Sequence, residues 1–120
     1  MQRASRGRDI QERTFRFGVR VVKMSNRLPR TTAGFVIGRQ VISSSTSVGA
    51  NTEEADAAES TDDFIHKLKI ALKEAQESRF WLRTIIASDM LIDDETKALW
   101  RESDELVKII NAIITNTRKK

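Results

Sequence analysis

The stretch GFVIGRQVISSSTSVGANTEEA, residues 34–55, decides the fold. Ser43, Ser44, Ser45, Thr46 and Ser47, followed by Gly49, Ala50 and Asn51, are poor helix formers. Their hydroxyl and amide groups compete for backbone hydrogen bonds, and propensity alone reads a loop. Spacing reads a helix. Gly34, Gly38, Val41, Ser45, Val48, Thr52 and Ala55 alternate intervals of four and three, a seam of small and β-branched residues suited to close helix approach. The helix starts at Thr31 or Thr32, either of which can cap it, and runs to about Glu54–Ala58. Ser44, Ser47, Asn51 and Glu54 line up beside the seam. They suit a polar network across a helix interface, costly unless fully satisfied.

Three further helices surround this one. The first runs from about Asp9 to Leu28, with Phe17, Val21, Met24 and Leu28 on one face and Ile10 and Thr14 in register. Leu28-Pro29 stops it, because the residue before proline avoids the helical region. In the third, Ser60-Thr61-Asp62-Asp63 reads as a capping box. Phe64, Leu68, Ala71, Ala75, Ser78 and Leu82 then form a stripe, and the helix continues to about Ala87. Ser88 to Ile92 is a connection, and Asp93-Asp94-Glu95 opens the fourth helix. Its apolar face is Leu99, Leu106, Val107, Ile110, Ile113 and Ile114. Short connections between four such helices predict an all-α, antiparallel up-down-up-down four-helix bundle over residues 9–120, with residues 1–8 a flexible basic tail.

Composition agrees. The 120 residues are 39% hydrophobic and 32% charged, which suits a globular helical chain. A single proline favours long helices. Cysteine is absent and histidine occurs once, which excludes a disulfide framework, a thiolate nucleophile and a Cys/His zinc site. No apolar run reaches the ~18 residues of a membrane helix or resembles a signal-peptide core, so the expected compartment is the cytoplasm.

The net charge of +4 is unevenly spread. Residues 1–40 hold ten basic and two acidic side chains, a balance of +8, whereas the other 80 balance to −4. Arg13, Arg16, Arg20, Lys23 and Arg27 recur at intervals of three and four, one continuous helix face. Such a stripe can track a phosphate backbone, and arginine grips phosphate bidentately. On pattern alone the weightier reading is a solvated helix face, or one that pairs with the acidic segment further on. Glu53, Glu54, Asp56, Glu59, Asp62 and Asp63 form a compact acidic segment that can neutralise the stripe, bind a cation, or favour the start of a helix.

Catalytic and metal motifs fare poorly. Gly34-x-x-x-Gly38 lacks the apolar surroundings of a membrane dimer motif and reads as tight helix packing. Asp63 and His66 have the spacing of half a di-iron motif, but the second histidine is missing, so no metal or other cofactor is expected. No nucleophile elbow supports a Ser-His-Asp triad. Trp81, Trp100 and Phe80 can stack on bases, but on pattern they read as core or contact anchors.

Two stretches resemble one family. DIQERTFRFGVRVVKMSNRLP (Asp9–Pro29) and RQVISSSTSVGANTEEADAAESTDDFIHKLKIALKEAQESRFWL (Arg39–Leu82) are similar to the four helix bundle proteins, bacterial rRNA intervening-sequence proteins once called ribosomal proteins. The resemblance implies an antiparallel four-helix bundle that assembles as a homopentameric ring, with nucleic-acid binding as the usual proposal and no catalytic residues. A distant branch, the accessory variability protein of retroelements, binds a reverse transcriptase. Ser47, Asn51, Glu54, Phe64, Lys67, Glu74 and Trp81 match the family pattern and are expected at bundle or ring contacts. Two expectations follow: an oligomeric, non-enzymatic bundle that binds RNA or DNA through Arg13, Arg16, Arg20, Lys23 and Arg27, or a protein–protein adaptor whose arginines meet an acidic partner such as a reverse transcriptase.

Overall fold

The computed structural model describes residues 2–119, with side chains from residue 9 onward. The side chains of the expected tail, residues 1–8, lie outside the described residues. Four helices follow in order: α1 (Gln2–Ser25), α2 (Thr32–Asp56), α3 (Thr61–Ala87) and α4 (Asp94–Arg118). Among the described residues there is no strand. The molecule measures 47 × 21 × 18 Å, the length of a 25- to 27-residue helix plus its turns.

The serine-rich segment is helical throughout, and its seam explains why. Gly34, Gly38, Val41, Ser45, Val48, Thr52 and Ala55 are all buried. Poor intrinsic propensity is overridden by packing that only small side chains allow. A Cβ on Gly18 would sit 3.4 Å from the Ser45 carbonyl oxygen, and one on Gly49 at 3.4 Å from the Thr14 backbone. At Gly34 there is no room at all, because a Cβ would overlap the Pro29 carbonyl oxygen. The hydroxyls that threaten the helix fold back onto it. Ser44 Oγ donates to the Val41 carbonyl at 3.3 Å and Thr46 Oγ1 to the Ile42 carbonyl at 2.7 Å.

Each predicted cap is present. Thr31 Oγ1 accepts from Gly34 N at 3.1 Å, Ser60 Oγ from Asp63 N at 3.0 Å, and Asp93 Oδ1 from Thr96 N at 2.8 Å. Both ends of α1 differ. The helix begins at Gln2 rather than near Asp9. The apolar spacing carries α1 to Leu28, but the helix ends at Ser25. Asn26, Arg27 and Leu28 instead donate to carbonyls three residues back, a tightened turn that frees Leu28 from helical geometry before Pro29. At the end of α3, Asp89 takes a left-handed conformation (φ 60°). Asp89 N donates to the Ile86 carbonyl at 3.1 Å and Met90 N to the Ile85 carbonyl at 3.0 Å, a Schellman closure in the place where glycine is usual.

The core is one cluster. Phe17, Val21 and Met24 of α1 meet Val41 and Val48 of α2, Leu68, Leu82 and Ile85 of α3, and Leu99, Leu106 and Ile110 of α4. Two hydroxyl pairs cross it. Thr14 and Thr52 join α1 to α2 at 2.8 Å, and Ser78 Oγ donates to Ser44 Oγ at 3.0 Å between α3 and α2. α2 packs extensively on α1 and α3, and α3 on α4, whereas the α1–α4 seam is much lighter.

Candidate nucleic-acid interface

The light α1–α4 seam is where the arginine stripe lies. Arg13 grips Glu102 with two hydrogen bonds of 2.7 Å, and Arg20 grips Glu95 at 2.9 and 3.0 Å. Arg27 donates through Nε to Asp93 at 2.9 Å. These three arginines recur every seven residues: Arg13 and Arg20 share one edge of α1 and face one edge of α4, and Arg27, in the turn beyond α1, continues the row to Asp93, the cap of α4. The Arg20–Glu95 pair shifts both partners. The hydrogen bond from Arg20 holds the Glu95 carboxyl below its ordinary range, and Glu95 in turn raises the Arg20 guanidinium. Glu102 does the same for Arg13. The Asp93 carboxyl is pulled down to about 2, first by the Thr96 hydroxyl and also by Arg27.

The other two members of the stripe face outward. Arg16 Nε donates to Glu12 at 3.1 Å, an exposed pair one turn apart, and Lys23 forms no ion pair among the described residues. The stripe is therefore two rows. The carboxylates that neutralise one of them come from α4, not from the acidic segment at residues 53–63. That segment spends Glu54 on Lys67 and places Asp62 and Asp63 in the first turn of α3, where the helix dipole favours them.

The expected contact residues collect along the α2–α3 seam. Lys67 Nζ donates to Glu54 at 3.1 Å, Asn51 Nδ2 donates to the Ser47 carbonyl at 2.8 Å, and Ser47 hydrogen-bonds Glu74. Burial, then a hydrogen bond and repulsion from Glu77, push the Glu74 carboxyl above its usual range, partly offset by Ser47. Phe64 is buried in the core. Trp81 is half-buried, edge-on to Phe80 at 5.0 Å, and its indole Nε1 is enclosed without a hydrogen-bond acceptor. His66 is exposed, Asp63 half-buried, and among the described residues no acidic or histidine cluster could hold a metal ion. Nor is any described helix long and apolar enough to cross a membrane.

One feature escaped the pattern reading. Phe15, Val19 and Val22 are exposed on α1, Phe15 by 56%. With Gly18, Thr46, Gly49 and Ala50 they line a mostly apolar α1–α2 groove of about 490 Å³, with Lys23 and Glu53 also on its walls. A second apolar row at intervals of four and three, beside Phe17, Val21 and Met24, was its signal in the sequence.

The comparisons with known proteins agree with this architecture. The family model described as 23S rRNA-intervening sequence protein matches residues 7–112. A crystal structure of a protein of unknown function from the S23 ribosomal protein family of Bacteroides thetaiotaomicron is similar at 34% identity, with a TM-score of 0.83 over 92% of this chain and 98% of that one. No curated protein matches the chain.

Proposed function

Since the chain belongs to the 23S rRNA-intervening sequence protein family, we propose that it is a bacterial, cytoplasmic, non-enzymatic bundle that self-associates and binds structured RNA or DNA along α1. The observation that carries this reading is the set of donors left open on the stripe. Among the described residues Arg16 and Arg27 engage carboxylates only through Nε, which leaves their Nη groups to donate elsewhere, and Lys23 engages none. Arg16 and Lys23 on the outward face of α1, with Arg27 on the turn just beyond it, suit phosphates at successive positions. Arg13 and Arg20 add charge, but their donors are held by α4.

The helices alternate in direction on this reading. Along α1 the paired residues rise from 13 to 20 to 27 while those on α4 fall from 102 to 95 to 93. Ser44 with Ser78 and Glu54 with Lys67 give α2 and α3 the same relation. The α1–α2 groove supports self-association, and a pentameric ring would multiply modest phosphate contacts into avidity. The alternative, an adaptor for a protein such as a reverse transcriptase, would use the same groove and stripe.

Fluorescence anisotropy tests the reading, with a labelled RNA helix and a DNA duplex of equal length titrated at several salt concentrations, and light scattering to give the assembly mass. Binding should fall steeply with salt, and Arg16→Glu with Lys23→Glu should weaken it at least tenfold. Binding that ignores salt or survives the double substitution would remove the nucleic-acid reading and favour the adaptor.

A further inference from the structure

On the other side of the bundle, exposed rings and unengaged cations share a face. Phe80 is 58% exposed and Trp100 is 38% exposed. On α3, Lys69, Lys73 and Arg83 lie on the same outward side as Phe80, at helical spacing and exposed. On α4, exposed Lys97 and Arg101 neighbour Trp100. Among the described residues the side chains of Lys69, Lys73, Arg83, Lys97 and Arg101 form no ion pair or hydrogen bond. This is the opposite of α1, where most guanidiniums already hold carboxylates.

Arg79 and Asp104, joined at 2.8 Å, set the register of α3 against α4. With the two helices running in opposite directions, Arg83 lies one turn beyond that pair on α3 and Trp100 one turn before it on α4. Phe80, Arg83 and Trp100 therefore surround one patch. Of the nearby carboxylates, Asp104 is engaged by Arg79 and Lys108 and Glu105 by Lys108, while exposed Glu77, one turn before Phe80, is outnumbered by Lys69, Lys73 and Arg83 on the same helix. Net positive charge remains beside two exposed rings, of which Phe80 also meets the Trp81 ring at 5.0 Å.

We infer that the α3–α4 face is a second nucleic-acid surface that takes single strands, with unpaired bases stacking on Phe80 and Trp100. Stacking needs a base with a free face, which a duplex does not offer, and it tolerates any sequence. Arg83, Lys97 and Arg101 then neutralise the phosphates beside the stacked bases. The inference borrows only the ligand class from the α1 reading and stands on different residues.

The test compares labelled oligothymidylate with a duplex of equal length, on wild type and on Phe80→Ala, Trp100→Ala and the Arg16→Glu/Lys23→Glu double variant. The two aromatic variants should each lose about 5- to 100-fold in affinity for the single strand and keep the duplex, while the α1 variant should show the reverse. Wild-type oligothymidylate binding by both aromatic variants would overturn the inference. So would a change in their assembly mass, which would mark the face as a subunit contact. A second readout uses Trp81→Phe, which leaves Trp100 as the sole tryptophan: oligothymidylate should quench its emission, and unchanged emission on saturation would also overturn the inference. Failure of the α1 reading alone would leave duplex affinity unmoved by the α1 variant and single-strand affinity still sensitive to Phe80 and Trp100.

Discussion

Replacing Glu95 and Glu102 together by glutamine should weaken the bundle and strengthen its grip on nucleic acid. The substitutions keep size and an acceptor oxygen but remove the charges that hold Arg20 and Arg13. In each pair the side chains are partly exposed, 39% and 40% for Arg20 with Glu95 and 43% and 18% for Arg13 with Glu102. Each such pair contributes about 0.2–1 kcal/mol, so urea denaturation should show a combined loss of about 0.5–2 kcal/mol. The gain appears in binding. Two freed arginines that reach phosphates steepen the plot of log affinity against log salt by about 0.9 each on a duplex, which is up to about 100-fold at ~0.1 M salt. The net charge rises by two, so a control with Asp56→Asn and Glu59→Gln, whose carboxylates hold no arginine among the described residues, carries the same change. If the Glu95/Glu102 variant binds with the control's salt slope, Arg13 and Arg20 do not compete between α4 and phosphate, and the stripe is a structural seam.

Three more outcomes follow from the same geometry. The Thr14 and Thr52 hydroxyls have two protons for contacts to each other and to the Ile10 and Gly49 carbonyls. Thr14→Val and Thr52→Val should each cost about 1 kcal/mol while the double variant costs clearly less than their sum, and strict additivity in the cycle would refute the pairing. Asp89→Gly should stabilise by about 0.5–1 kcal/mol in thermal unfolding, since glycine holds a φ of 60° without a Cβ penalty. The pH dependence has two opposing parts. Asp93, depressed to about 2 and more than a third exposed, contributes under about 1 kcal/mol, present above the unfolded carboxylate pKa of ~3.9 and lost as pH falls through about 2. Asp93→Asn should flatten the urea midpoint across that window. Glu74 is raised instead, so its effect is a penalty that is absent below the unfolded pKa and grows as pH rises. Glu74→Gln should therefore raise the urea midpoint at pH 7 and leave it unmoved at pH 3.

What the sequence made legible was whatever depends on one helix at a time. Thr31, Ser60 and Asp93 cap where local chemistry places them, and the seam from Gly34 to Ala55 is buried residue for residue. The Arg stripe was only half legible. Its spacing identifies a face, but whether that face meets solvent or carboxylates depends on which helix lies alongside, and Glu95 and Glu102 are more than 70 residues away in sequence. The nearer acidic segment was one candidate partner, but the stripe pairs with α4, and of that segment Glu54 turns to Lys67 while Asp62 and Asp63 lie in the first turn of α3. Phe15, Val19 and Val22 were missed for a related reason. A helix with one apolar row needs one neighbour, whereas α1 has two rows, and a single amphipathic stripe absorbs the first and hides the second.

That second row limits how the protein can assemble. Fully burying a side chain such as Phe or Val contributes about 1.5–3 kcal/mol, and Phe15, Val19 and Val22 are already partly covered, so completing their burial contributes about 1 kcal/mol each. Roughly 3 kcal/mol falls below the estimated 4–15 kcal/mol lost in translational and rotational freedom on association. The groove alone cannot hold an isolated pair of subunits at low concentration. Closing a ring of five does not lift this limit, since five contacts of roughly 3 kcal/mol set against four losses of at least ~4 kcal/mol leave no net gain. Any association through this shallow groove, floored by Gly18, Gly49 and Ala50, therefore has to draw on further surface from whatever covers it. Lys23 stands on the groove wall and Arg16 two turns away on the same side of α1, so the surface nearest to hand carries open cations that an acidic occupant would engage.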